Sequence, residues 1–202
     1  MTVRLDGVEL SVSEETMEKG KEAVFETARQ KALSKNSVIV NIIVDGIDIE
    51  DEDAFFSLSG GHDIQFVSQP IIDLVRESVE EGKKYIPVLL KGLEGIATMI
   101  EENKEADARN AFTQAIEGIN WLVGVFSKNC ALLGITSSGL ESGDWDNDSK
   151  ELNGALEAMV SVMESGRTMR MAYIIRERLS PAIEKFALYW SDIESQLNRP
   201  LQ

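Results

Sequence analysis

Cysteine occurs once in this 202-residue chain, as Cys130, and histidine once, as His62. A lone cysteine excludes an internal disulfide framework and suits a reducing cytosol. A single histidine cannot build a histidine-rich zinc site. Basic residues are also scarce, with 20 Lys and Arg against 35 Asp and Glu, a net charge of −15. That balance argues against a nucleic-acid backbone or an anionic membrane as partner, because both need a basic footprint. No window approaches the roughly 18 apolar residues of a membrane span. The start, MTVRLDGVEL, lacks the basic and apolar regions of a signal peptide. A cytoplasmic location is therefore expected. GxSxG, P-loop, HExxH and GxGxxG patterns are all missing, and no cofactor is expected.

What is present is helical periodicity. From Ala108 to Gly134 the apolar residues Ala108, Ala111, Phe112, Ala115, Ile116, Ile119, Leu122, Val123, Phe126, Cys130 and Leu133 step by three and four. This spacing predicts one wide buried helix face, which neighbours must cover on more than one flank. Cys130 falls on that face, as a small packed side chain rather than a nucleophile.

Residues 2–12 alternate around Asp6-Gly7, and residues 37–49 are β-branched around Asp45-Gly46. Each reads as a hairpin, because an Asp-Gly turn supplies the positive φ. Between them, SEETMEKGKEAVFETARQKALSK predicts a helix capped by Ser13, or by Ser11 paired with Glu14, and weakened by Gly20. The acidic run Glu50–Asp53 reads as a solvated loop or a helix start. After Gly60-Gly61, Asp63–Val67 reads as a last strand. This order of hairpin, helix, hairpin and strand resembles the β-grasp (ubiquitin-like) arrangement.

From Pro70 the pattern turns helical, with a kink or break expected near Gly82 and Pro87. A short polar turn at residues 102–104 implies an antiparallel pair with the central helix. A Gly-, Ser- and Asp-rich loop spans residues 134–148, and a last helical region is divided by Gly166 and Ser180-Pro181. Ser180 is expected to cap a fresh segment there. The fold class is α+β: a small β-grasp-like domain over residues 1–68, then an antiparallel α-helical bundle over residues 69–202.

Asp144, Asp146 and Asp148 open like a calcium loop, but Ser149 and Ala155 stand where such a loop needs Gly and a bidentate Glu. No metal site follows. His62 reads as an exposed turn residue, and the adjacent pairs Glu80-Glu81 and Glu101-Glu102 point to different helix sides. The basic residues concentrate in GRTMRMAYIIRERL. There Arg167 and Arg170 share a face beside Met163, Met171 and Ile174, an edge that could take a partner's amphipathic helix. These arginines and their neighbours Arg176 and Arg178 could instead pair with the chain's own acidic run. The stretch KEADARNAFTQAIEGINWL, with Ala108, Ala111, Phe112, Ala115, Ile116 and Ile119 on one face, resembles the flagellar export chaperones. That resemblance implies a small acidic bundle holding the disordered end of a filament subunit. The expected function is thus protein interaction or regulation, by binding a partner helix or by homo-oligomerisation. An enzyme with a ligand pocket between the two domains is the alternative.

Overall fold

The computed structural model describes residues 1–60 and 62–198. The chain divides into two compact units, Met1–Leu74 and Val75–Gln202. Gly61, half of the expected Gly-Gly turn, and residues 199–202 of the expected bundle lie outside the described residues.

The first unit is a five-stranded mixed sheet with helices. Strands β1 (Thr2–Leu5) and β2 (Val8–Glu9) form the first hairpin, and β3 (Ser37–Val44) and β4 (Ile47–Ile49) the second. Strand β5 (Asp63–Pro70) pairs parallel with β1 and antiparallel with β3, giving the order β2-β1-β5-β3-β4. Both turns use left-handed backbone, at Asp6 (φ 54°) and Gly7 (77°), and at Asp45 (51°) and Gly46 (82°). The two turn aspartates also hold β5. Ser68 N–H donates to Asp6 Oδ1 at 2.7 Å, and Asp63 N–H to Asp45 Oδ1 at 2.8 Å.

The intervening helix is two helices. Ser13, whose Oγ accepts from Thr16 N–H, caps α1 (Glu14–Glu18), and α2 covers Lys21–Leu33. Gly20 separates them at φ 98°, ψ −173°, a region essentially closed to side-chain-bearing residues. The acidic run starts a further short helix, α3 (Glu52–Ser57), capped by the Asp51 carboxylate on Ala54 N–H. Helix α3 delivers Phe55 to the core, where Phe25, Phe55, Phe56 and Phe66 meet with ring centroids 5.7–6.4 Å apart. Each such pair contributes about 0.5–1.5 kcal/mol beyond its burial.

The second unit is helical. Helix α4 (Ile71–Glu101) is followed by α5 (Glu105–Leu133), α6 (Trp145–Glu164), α7 (Met169–Ile174) and α8 (Ser180–Leu197). Helix α4 runs unbroken through both Gly82 and Pro87. Glycine at 82 serves packing: the Trp190 ring lies against it, and a Cβ there would sit 2.5–2.8 Å from ring carbons. Helices α4 and α5 run antiparallel, since Ser78 bonds Asn129 while Tyr85 meets Trp121. Helix α5 ends in the left-handed residue Gly134 (φ 67°), a helix-terminating conformation natural to glycine. Around Trp190, the rings of Phe126, Trp145, Phe186 and Tyr189 complete the aromatic core.

Ser180 is not a cap. Its backbone is helical (φ −61°, ψ −46°), and a wide π turn, Ile175–Leu179, joins α7 to α8. A proline ring crowds the carbonyl of the preceding turn and lacks its N–H. One wide turn gives Pro181 that room without stopping the helix.

Candidate functional site: a groove between two helices

The sequence-derived residues separate in space. Met171 and Ile174 are buried, Met163 is half-buried, and Arg167 and Arg170 are exposed. The five therefore do not share one open face. The exposed apolar residues of α7 are Met169 and Tyr173, one turn apart. Arg176 engages Glu94 and Glu101 on α4, with Arg176 Nη2 2.7 Å from Glu94 Oε1. The guanidinium holds both carboxyls below their ordinary value, and they raise Arg176 in turn.

His62 is exposed, and its backbone N–H donates to Asp45 Oδ1 at 3.0 Å. The backbone N–H groups of Asp63 and His62 lower the Asp45 carboxyl. Burial pushes the Cys130 thiol up to about 11, so it is protonated at neutral pH and a poor nucleophile.

The three aspartates of the calcium-like opening are divided among tasks. Asp144 caps α6 by accepting from Asn147 N–H, and Asp146 is exposed. Asp148 accepts from Tyr189 Oη at 2.6 Å and pairs with Lys185 at 3.2 Å, while Lys185 also reaches Glu151 at 2.9 Å. The Tyr189 hydroxyl, ahead of Lys185, lowers the Asp148 carboxyl. Among the described residues no group of three His, Cys, Asp or Glu is placed to hold a metal ion.

A pH dependence follows. Asp45, Glu94, Glu101 and Asp148 are all shifted down from ordinary values of 3.8 or 4.5. Their contribution to stability is complete above the unfolded-state values and is lost as pH falls through the lower folded-state values. The melting temperature should therefore fall steeply below about pH 4. The variant Tyr189→Phe, which removes the donor to Asp148, should flatten that fall in thermal melts at a series of pH values. An unchanged slope would exclude Asp148 as a contributor.

An open groove of about 670 Å³ lies between α4 and α5. Helix α4 supplies Tyr85 and Val88, and α5 supplies Gly118 and Trp121. Val88 is 63% exposed and Trp121 41%, unusual for large apolar side chains on one surface. Tyr85 meets Trp121 edge to face, with centroids 5.5 Å apart and planes at 83°. Gly118 makes this possible: the Tyr85 hydroxyl lies over its Cα, and a Cβ there would overlap it and lie 2.9 Å from Tyr85 Cζ. A glycine inside a helix costs about 1 kcal/mol relative to alanine. Here it lets the hydroxyl end of the tyrosine approach α5 closely. Glu81 and Glu117 also line the groove, and neither has an ion-pair partner among the described residues.

Trp121 lies outside the apolar spacing of α5, because it falls beside the buried stripe rather than within it. Gly118, a glycine inside a strong helical pattern, was the available signal.

Charge is confined to Glu81, Lys84 and Glu117 around an apolar wall of Tyr85, Val88 and Trp121, a shape that suits burial of another apolar surface. No curated protein and no solved structure matches the chain. A family model does match, over residues 77–188, and both groove-forming segments fall inside it. With more than half of its length matched, the chain belongs to the family described as Domain of unknown function (DUF8042).

Proposed function

We propose that this protein is a cytoplasmic interaction module whose helical unit buries the amphipathic helix of a partner protein in the α4–α5 groove. The observation that carries the reading is the exposed apolar wall of Tyr85, Val88 and Trp121 over the hollow at Gly118. Two antiparallel helices form a furrow into which a third helix sets residues one turn apart. The rim carries Lys84, paired with Glu80 at 3.7 Å, and two carboxylates without ion-pair partners among the described residues, Glu81 and Glu117, which favour lysine or arginine beside those anchors. Charge also favours a different protein over a second copy, since two chains of −15 each repel.

A chaperone-like role, sheltering an apolar segment of a client, is one form of this activity. The strand order β2-β1-β5-β3-β4 with a central parallel pair supports a β-grasp reading of the first unit. The lone, protonated thiol of Cys130, on α5, accords with a reducing compartment.

A photo-crosslinking residue placed at Val88 should trap a different protein in the native cell, whereas one at the exposed Leu188 should not. Adding Trp121→Asp should weaken capture at least tenfold, with melting little changed. Trapping of the chain's own copy would transfer the groove to self-association. Equal trapping at Val88 and Leu188, or none at Val88, would remove the groove from consideration.

A further inference from the structure

The first unit carries a second open surface, of a different kind. Strand β4 covers β3 only at Ile42, Ile43 and Val44, whereas β5 bridges β3 along its whole length. Residues Ser37 to Asn41 therefore have no strand on their outer side among the described residues. Beside this edge lies a hollow of about 240 Å³, floored by Phe25, Ile39 and Ile49 and bounded by Glu50 and Glu52. Val40, at 44% exposure, stands at its margin.

We infer that the β3 edge binds an extended segment of a partner protein, in which apolar residues alternate with lysine or arginine. An uncovered strand edge presents backbone N–H and C=O groups in a row, and another extended backbone matches that spacing. A helix, whose own backbone groups are already bonded, does not. Alternate side chains of an added strand point to the same face, so every second residue meets the Phe25–Ile39–Ile49 hollow. Glu50 and Glu52 select the charge of its neighbours: neither has an ion-pair or hydrogen-bond partner among the described residues. Asp51 is excluded from that role, because its carboxylate caps α3.

The edge is also limited in length. A bulge interrupts the β3–β5 register between Ile39 and Asn41, and the Asn41 side chain takes the N–H of Ile42 while donating to Asp48. Bulges and local side-chain bonds of this sort stop indiscriminate edge-to-edge growth. They leave room for a short added strand next to Val38–Val40.

The test uses the full-length, isotope-labelled protein and a synthetic peptide of alternating lysine and valine. Two further peptides carry N-methyl groups on alternate residues, in opposite phase. The parent peptide should perturb amide signals of residues 38–42 and 49–52. One methylated phase should bind like the parent and the other at least tenfold more weakly, because only one set of N–H groups faces β3. Replacing lysine by glutamate, or introducing Glu50→Lys with Glu52→Lys, should also weaken binding at least tenfold. The Val88→Asp/Trp121→Asp protein should bind as the unaltered one does, which separates this site from the helical groove. Equal binding of all three peptides, perturbation confined to other surfaces, or no saturation by about 1 mM would each overturn the inference.

Discussion

Alanine in place of Trp190 is expected to destabilise the helical unit by about 3–5 kcal/mol. Trp190 is fully buried, and its ring touches helix α4 at Gly82 and the rings of Phe126 and Phe186. No single neighbour can relax into the space left by an indole. The partner experiment is Gly82→Ala. On helix propensity alone this change should stabilise by about 1 kcal/mol. The added Cβ, however, would lie 2.5 Å from Trp190 Cη2 and 2.8 Å from Cε3, and overpacking of this kind costs about 1–3 kcal/mol. Gly82→Ala should therefore lower stability in the native background and lose most of that cost in a Trp190→Leu background. Urea unfolding of the four proteins, followed by circular dichroism, measures the coupling. A stabilising Gly82→Ala in the native background would show that the close approach does not hold in solution.

The second large effect separates two neighbouring methionines. Met171→Asp should cost on the order of 4–5 kcal/mol, combining a lost core side chain with a carboxyl placed where no donor awaits it. Met171 is completely buried, whereas Met169 is 64% exposed. Met169→Asp should change stability by no more than about 0.5 kcal/mol. The contrast bears on function, because loss of binding on changing Met171 or Ile174 would report unfolding rather than a missing contact. Thermal melts of the two Met→Asp variants decide it. Equal, small effects would mean that α7 is not packed as described.

Periodicity identified the buried face of α5 well. Ala108, Phe112, Ala115, Ile119, Leu122 and Phe126 are all buried. The same face also buries Asn129, whose Oδ1 accepts from Ser78 while its Nδ2 is buried without a partner, and no apolar pattern can announce a polar residue held by a distant helix. The apolar pattern puts Met163, Met171 and Ile174 on one line with an arginine edge, but Met163 lies in the last turn of α6 and the left-handed Gly166 separates it from α7. Which side of that line faces solvent depends on the helices packed against it.

Local chemistry determined much of this protein. The two Asp-Gly turns, the cap at Ser13, the stop at Gly134 and the helical course of α5 follow from interactions within a few residues of each site. These energies act in any tertiary setting, so sequence suffices to place them. Tertiary structure decided the rest. It carried α4 through Gly82, admitted Pro181 behind a wide turn, and committed the Asp148 carboxylate to Tyr189 and Lys185. It also made the groove, because Gly118 becomes a hollow only when Tyr85, thirty-three positions earlier in the sequence, crosses it. A contact between distant residues depends on their relative placement, which no stretch of the chain specifies alone.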